Sequence, residues 1–479
     1  MTLERSGFST AGAVGSVRPV PALSGLPPAP GTRASRRTSP ADGTSTRRGR
    51  SALAVAIVGL VVVIGLALAD SLPTWRFDGG PFIALGGLAA LAGTYLSLAL
   101  IVLVARVPWI ERELGHQRLV ALHRVVAPYA LMLIGAHVLL TTIGYAQEAR
   151  SGLLAELWTI VAHSAWMVPA AAAFVLMVAL GALSYRRIRS RMRHETWWVS
   201  HLYFYLAVAL AFGHQLELGT FFAGRPAQQT LWIALYVAVA LLVVGSRVAL
   251  PLVRSLRHDL RVADVVRESP GAVSVHLTGR DLHRLDAEGG QFFQWRFLTR
   301  SWWWQAHPYS LSASPDGRTL RITVTASGDQ SAALASRLRP GTRVWAEGPY
   351  GVFTARRRHG RRVAAFAAGS GVTAVRAMLE DLPTDADVDV VVRARSASDI
   401  LLRAELEALA GSRGYRLRYV IGTRFDVTLT ASDIVALVPD LGACDVFVCG
   451  PAGFAALVLE AASTAGVPAA RLHHESFAL

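Results

Sequence analysis

The chain has 479 residues, 52% of them hydrophobic, with a mean hydropathy of +0.38 and a formal net charge of +15. Long apolar runs fill the first half and disperse in the second, which excludes a wholly soluble globular chain and implies a membrane domain followed by a soluble one. The positive charge is all arginine, set in blocks beside the apolar runs, which argues against a nucleic-acid partner; the two cysteines, Cys444 and Cys449, support neither a disulfide framework nor a structural zinc site.

Residues 1–50 are rich in Pro, Gly, Ser, Thr and Arg without periodicity and read as a disordered basic tail, with no secretory signal. Six membrane spans are expected, at Ser51–Ala69, Phe82–Ala105, Leu119–Tyr145, Trp166–Leu183, Trp198–Leu216 and Leu231–Leu250. Arginines crowd the tail, the loop with Arg106, Arg112 and Arg118, and the loop "YRRIRSRMRH" (185–194), whereas the alternate connections are poor in them. The positive-inside rule then makes this a multi-pass cell-membrane protein with both termini cytoplasmic.

The third span carries His123 and His137, fourteen residues apart. On a helix that spacing returns to within about 40° of the same face, about 21 Å further along the axis. His201 and His214 lie on the fifth span, which runs in the same direction, so His123 can meet His201 near the cytoplasm and His137 can meet His214 near the outside. Two pairs at two depths suit two bis-histidine hemes, since heme iron takes an imidazole on each side. A single intramembrane histidine is as readily a hydrogen bond to a neighbouring helix. The spacing from His201 leaves His214 about 140° away on an ideal helix, so periodicity alone does not predict the second pair.

With these four histidines on these spans, the chain from Ser51 to Leu479 resembles bacterial members of the ferric reductase and NADPH oxidase family. The resemblance implies two hemes b and three domains: a six-helix transmembrane bundle over 51–253, an antiparallel β-barrel FAD-binding domain over 254–358, and a parallel α/β NAD(P)-binding domain over 359–479. His163, in "VAHSAW", lies outside the pattern; a structural hydrogen bond and a place near the outer acceptor site are both open.

From about Arg254, short alternating segments such as "AVSVHLTG" and "TLRITVTASG" read as antiparallel strands; after about Arg361, strands and helices alternate as in a parallel α/β sheet. "HPYS", His307-Pro308-Tyr309-Ser310, resembles the flavin motif of the ferredoxin reductase superfamily, in the His-Pro form of the membrane reductases. By that resemblance Tyr309 packs on the flavin and Ser310 bonds the isoalloxazine edge; as a bare string HPYS also fits an ordinary edge strand. "EGPYGVFT" is similar to the family's second flavin segment, where Gly348 and Gly351 let backbone N–H groups approach the pyrophosphate.

In "AAGSGVTAVRAMLE" a glycine turn opens a helix whose N-terminus favours dinucleotide phosphates, with Gly369, Gly371 and Thr373 as candidates. The turn is one residue shorter than the family's and has Ala374 where the family has Pro. Cys449-Gly450-Pro451 matches the family motif that sets a sulfur near the nicotinamide, although a buried strand-end cysteine is the plain alternative. The last residues, "HHESFAL", put Glu475 and Phe477 where relatives place an acid near the flavin and an aromatic beside its ring. Arg393 and Arg395 can pair with a 2′-phosphate, which favours NADPH over NADH, or serve charge balance.

The implied function is a transmembrane oxidoreductase that passes electrons from cytoplasmic NAD(P)H through FAD and two hemes to an acceptor on the outer side, a ferric chelate or dioxygen. No residue need act as general acid or base, because protein groups position cofactors and tune them. Two other classes stay open: a heme-free, membrane-anchored flavin reductase serving a partner protein, and a transporter or channel with a regulatory nucleotide-binding domain. The expected spans hold almost none of the carboxylates that the transporter reading needs. Oligomeric state is left open.

Overall fold

The computed structural model describes residues 44–300, 302–326, 329–423 and 425–475. Most of the expected tail (1–43) and Phe477 lie outside the described residues. Thr44–Arg50, assigned to the tail from sequence, instead form the first turns of a helix.

The first half is helical: α1 (Thr44–Ser71), α2 (Gly80–Val104), α3 (Pro108–Leu114), α4 (His116–Ala149), α5 (Leu153–Ala162), α6 (Met167–Ser184), α7 (Arg186–Arg189), α8 (His194–Leu210), α9 (Phe212–Leu218), α10 (Pro226–Val244) and α11 (Leu250–His258). Among the described residues five helical runs are long and apolar enough to cross a membrane: Ala54–Arg76, Gly80–Val104, Arg118–Ala149, Met167–Ser184 and Pro226–His258. The last joins α10 to α11 through a π-helical turn at Gly245–Ala249. Large side chains on these runs point outward, Val55 at 71% and Met132 at 68% exposure, as a lipid-facing surface requires.

The expected fifth span is not one continuous helix. It is the 17-residue α8 and the seven-residue α9, broken at Ala211, so the six-span count gives way to five long helices and one interrupted segment.

Helices α2 and α4 run antiparallel with glycines in the contact. A Cβ on Gly86 would stand 2.7 Å from Thr141 Cγ2, one on Gly93 2.9 Å from Ile134 Cδ1, and one on Gly144 2.6 Å from Ile83 Cγ1. Small residues here let two backbones approach, the usual route to helix association in lipid.

The soluble half begins with β1 (Arg261–Ser269), β2 (Ala272–Thr278), β3 (Phe292–Phe297), β4 (His307–Ser310), β5 (Thr319–Thr325), α12 (Asp329–Arg337) and β6 (Val344–Tyr350). These strands form two three-stranded antiparallel sheets, ordered β1-β2-β5 and β4-β3-β6. Among the described residues the closed barrel expected from resemblance is not formed. Isolated bridges, Arg261 with Arg343 and Leu311 with Ile322, link the edges of the two sheets; β1 carries register shifts and β4 is four residues long. Alternation in β3 turns Phe293, Trp295 and Phe297 into the core between them.

The rest is a five-stranded parallel sheet, ordered β11-β10-β7-β8-β9, built from β7 (Arg362–Ala368), β8 (Asp387–Ala394), β9 (Arg416–Ile421), β10 (Asp445–Cys449) and β11 (Leu472–Glu475). Helices α13 (Gly371–Glu380), α14 (Arg403–Arg413), α15 (Ala431–Leu437) and α16 (Ala452–Thr464) alternate with the strands. Burial on both faces explains the unbroken apolar runs of β7 and β10. Arg321 of β5 grips Glu405 of α14 with two hydrogen bonds of 2.8 Å, and Arg376 of α13 adds an ion pair at 2.9 Å, tying the two soluble parts together.

Candidate functional site

The four intramembrane histidines come together as two pairs. The rings of His123 and His201 lie 6.2 Å apart between centroids, and those of His137 and His214 lie 6.4 Å apart. An ion bonded to one nitrogen of each ring at about 2 Å, the usual metal–imidazole distance, sets opposed ring centres roughly 6 Å apart. Both pairs fit heme iron by that measure.

The outward ring nitrogens point the same way. His123 Nδ1 donates to the Leu100 carbonyl at 3.2 Å, and His137 Nδ1 donates to the Gly86 carbonyl at 3.0 Å. A carbonyl only accepts, so both rings carry the proton on Nδ1 and keep Nε2 free as a ligand. Leu100 and Gly86 are separated by fourteen residues of α2, as the two histidines are on α4, so one antiparallel register serves both depths. His201 Nδ1 lies 3.3 Å from Ser184 Oγ, and His214 Nδ1 is buried with the Ala211 backbone beside it.

The break at Ala211 accounts for the second pair. Fresh helix begins at Phe212, so His214 is no longer held at the angle an unbroken α8 would impose. Gly213 packs under the Trp166 ring, where a Cβ would overlap it. A cavity of about 360 Å³ adjoins this place, lined by Trp166, Pro169, Phe212, Gly213 and Glu217 among others. His163 donates to the Thr159 carbonyl of its own helix at 3.0 Å and joins neither pair.

The flavin motif is a strand in full: His307 to Ser310 is β4, with Tyr309 opposite Phe293 and Ser310 opposite Phe292. Trp295 Nε1 donates to the Tyr309 carbonyl at 3.0 Å, and burial pushes the Tyr309 phenol up to about 12. Ser310 Oγ and His307 Nε2 are buried without a hydrogen-bond partner among the described residues, an arrangement that a polar cofactor edge would satisfy. Pro308 stands beside them opposite Gln294. Gly348 and Gly351 have φ of +152° and +90°; a Cβ on Gly351 would sit 3.5 Å from Glu475 Oε2, so the C-terminal strand reaches the second flavin segment.

Arginines of the membrane half hold that segment, a role the sequence reading missed. Arg247 donates to buried Glu347 at 2.9 Å, Arg254 to the Gly348 carbonyl, and Arg106 lies 4.5 Å over the Tyr350 ring. Tyr350 also donates to Glu347 at 2.9 Å. Gly115, between α3 and α4, packs on Val352, so the His123–His201 pair belongs to the reductase-facing end of the bundle.

The nicotinamide motifs converge at the C-terminal ends of β7 and β10, where Cys449 pairs with Ala367. Gly369 turns with φ of +57°, Gly371 backs onto the Cys449 carbonyl, Gly450 packs on Ala368, and Thr373 Oγ1 donates to the Ser370 carbonyl at 2.8 Å. Helix α13 starts at Gly371 and α16 follows Pro451, so two helix N-termini open on one place. Burial holds the Cys449 thiol well above its ordinary value, so it is a neutral thiol. The two arginines part company: Arg393 spends its guanidinium on the carbonyls of Val420, Thr423 and Val427, while Arg395 is 82% exposed beside Asp399.

Residues 88–212 match the family described as ferric reductase like transmembrane component, and residues 269–354 match an FAD-binding domain family. The chain is similar to an NADPH oxidoreductase of Mycobacterium tuberculosis, 32% identical over 46% of this chain and 60% of that one. It is similar also to the ferredoxin reductase component of 3-ketosteroid-9-alpha-monooxygenase of Rhodococcus rhodochrous, 31% identical over 46% of this chain and 64% of that one. A third relative, ferredoxin–NADP reductase B of Sorangium cellulosum, is 32% identical over 35% of this chain and 77% of its own length. The chain spans less than two thirds of the first two relatives. A membrane component joined to a flavin-binding reductase module is the architecture of ferric reductase / NADPH oxidase-like flavocytochromes, and the chain belongs, through its reductase half, to the ferredoxin–NADP reductase family.

Proposed function

We propose that the protein is an NAD(P)H-dependent transmembrane oxidoreductase that moves electrons from a cytoplasmic nicotinamide to an acceptor across the membrane, a ferric chelate or dioxygen, with both of its termini in the cytoplasm. The observation that carries the proposal is the pair of imidazole pairs, 6.2 and 6.4 Å between ring centres, at two depths of a helix bundle joined to a flavin-type reductase. When bound, FAD converts hydride transfer into single-electron transfer, and two hemes b carry single electrons through lipid.

The chain's own residues supply position and environment. His123 with His201, and His137 with His214, would hold iron, while the Leu100 and Gly86 carbonyls fix the rings on α4 and leave their Nε2 free. Tyr309 and Ser310 orient the flavin, Gly348 and Gly351 admit its pyrophosphate, and buried Glu475 stands beside that segment. Gly369, Gly371, Thr373 and Cys449-Gly450-Pro451 cradle the nicotinamide nucleotide, and exposed Arg395 receives a 2′-phosphate, which favours NADPH over NADH. The far-side cavity at Trp166 and Glu217 adjoins His214 and suits the acceptor's approach.

The paired rings favour this reading over a heme-free anchored reductase, since that function would need no histidines matched at two depths. The test is heme stoichiometry in detergent-purified protein expressed with ample heme. Two hemes per chain are expected, reducible by NADPH, with His137→Ala and His214→Ala each losing one and keeping dye reduction by the flavin domain. Protein that carries flavin and no heme overturns the proposal.

A further inference from the structure

A second cluster of ligating side chains lies at the opposite end of the nucleotide sheet. His359 is in the connector before β7, Asp445 opens β10, and His473 is the second residue of β11. Since Cys449 closes β10, the length of that strand, about 13 Å, separates the cluster from the nicotinamide motifs.

Asp445 is 1% exposed, and its two oxygens have different tasks. Oδ2 accepts the backbone N–H of His359 at 2.9 Å and of Gly360 at 2.8 Å. That grip turns Oδ1 toward both imidazoles, 3.2 Å from His359 Nδ1 and 3.5 Å from His473 Nε2. The three atoms all lie within 4.8 Å of one another. The His473 ring is fixed in turn by stacking on Phe447, 4.4 Å between centroids.

We propose that His359, Asp445 and His473 form a binding site for a divalent transition-metal ion, with solvent as a further ligand. Tetrahedral zinc with bonds of about 2.0–2.2 Å sets its ligand atoms about 3.3–3.5 Å apart, the separation already present around Oδ1. Two imidazoles with one carboxylate select zinc or ferrous iron over magnesium and calcium, which prefer oxygen alone. The backbone grip on Oδ2 is the kind of outer support that metal carboxylates need. The His359 side chain is 39% exposed, which gives an ion its entry and leaves a position for water. A bound ion ties the connector between the flavin and nucleotide parts to the strand that ends at Glu475. The site is separate from the electron path and stands whether or not that path is correct.

The test uses the full chain with its flavin and hemes, stripped with chelator and titrated calorimetrically with Zn²⁺ in excess Mg²⁺. One Zn²⁺ per chain is expected, with a zinc-edge absorption spectrum fitted by two imidazoles plus oxygen and a raised melting temperature. His359→Gln and His473→Gln should each weaken binding at least tenfold and abolish the thermal shift. His359→Gln retains flavin-dependent dye reduction, which certifies its fold. Absence of a saturable one-per-chain site, or undiminished binding in both variants, overturns the proposal.

Discussion

Arg247, in the π-helical turn between α10 and α11, donates to Glu347 Oε1 at 2.9 Å, one residue before the flavin-segment glycine Gly348. Glu347 is 4% exposed and shares the same oxygen with Tyr350, so its charge is held by partners from both halves of the chain. Arg247→Ala should cost about 1–3 kcal/mol, the penalty for leaving a buried acceptor short of a donor. Thermal unfolding followed by flavin fluorescence checks this, and heme reduction by NADPH should slow more than dye reduction. Arg247→Lys should restore part of both.

Trp166 covers Gly213, and no Cβ fits between them. Gly213→Ala should strain the His214 turn by about 1–3 kcal/mol, the usual cost of overpacking. On the proposed function, the spectrum of one heme should change while the other keeps its wild-type form. Trp166→Leu in the same chain should relieve the defect, and the double-mutant cycle should give a coupling energy well above zero.

The Glu405 clamp carries a pH signature. Burial alone would raise its carboxyl, but the hydrogen bonds and charge of Arg321, and then the charge of Arg376, outweigh it, and the net shift is downward. A carboxylate with a lowered folded value stabilises the fold above its unfolded value near 4.5 and loses that contribution as pH falls through the lower folded value. Glu405→Gln should therefore lower the melting temperature of the reductase half at pH 7 by a few degrees. The gap to wild type should close below pH 4.5; a gap that is constant with pH would sink the assignment.

Arg395 lies free of the carbonyl network that occupies Arg393. Arg395→Ala should raise the KM for NADPH about tenfold, equivalent to one charge-assisted bond of roughly 1.4 kcal/mol, and leave that for NADH unchanged. Arg393→Ala should instead lower stability and affect both nucleotides alike, since its three bonds hold the loop after β9.

The α4 histidine spacing was legible because an unbroken helix converts residue number directly into angle and depth. The α8–α9 spacing was not, because the break at Ala211 has no Pro or Gly at the break itself; the nearby signal, Gly213, acquires meaning only with Trp166 above it. The strand at His307–Ser310 and the glycine turn before α13 were readable as local strings. Whether six short strands close into a barrel depends on register shifts in β1 and on the shortness of β4, which no string displays. Arg106, Arg247 and Arg254 went unassigned because charge bias at membrane edges accounts equally for every arginine there. His359 and His473 lie 86 and 28 residues from Asp445, a separation without any spacing rule.

The matched intervals on α2 and α4 impose a dimensional rule on the thirteen residues from Gly87 to Ala99. Their identities are free to drift wherever size permits, yet inserting or deleting one residue would swing one carbonyl by about 100° and leave its twin in place. Evolution can therefore rewrite this stretch but not recount it, and a single-residue indel there should misplace one histidine pair and spare the other.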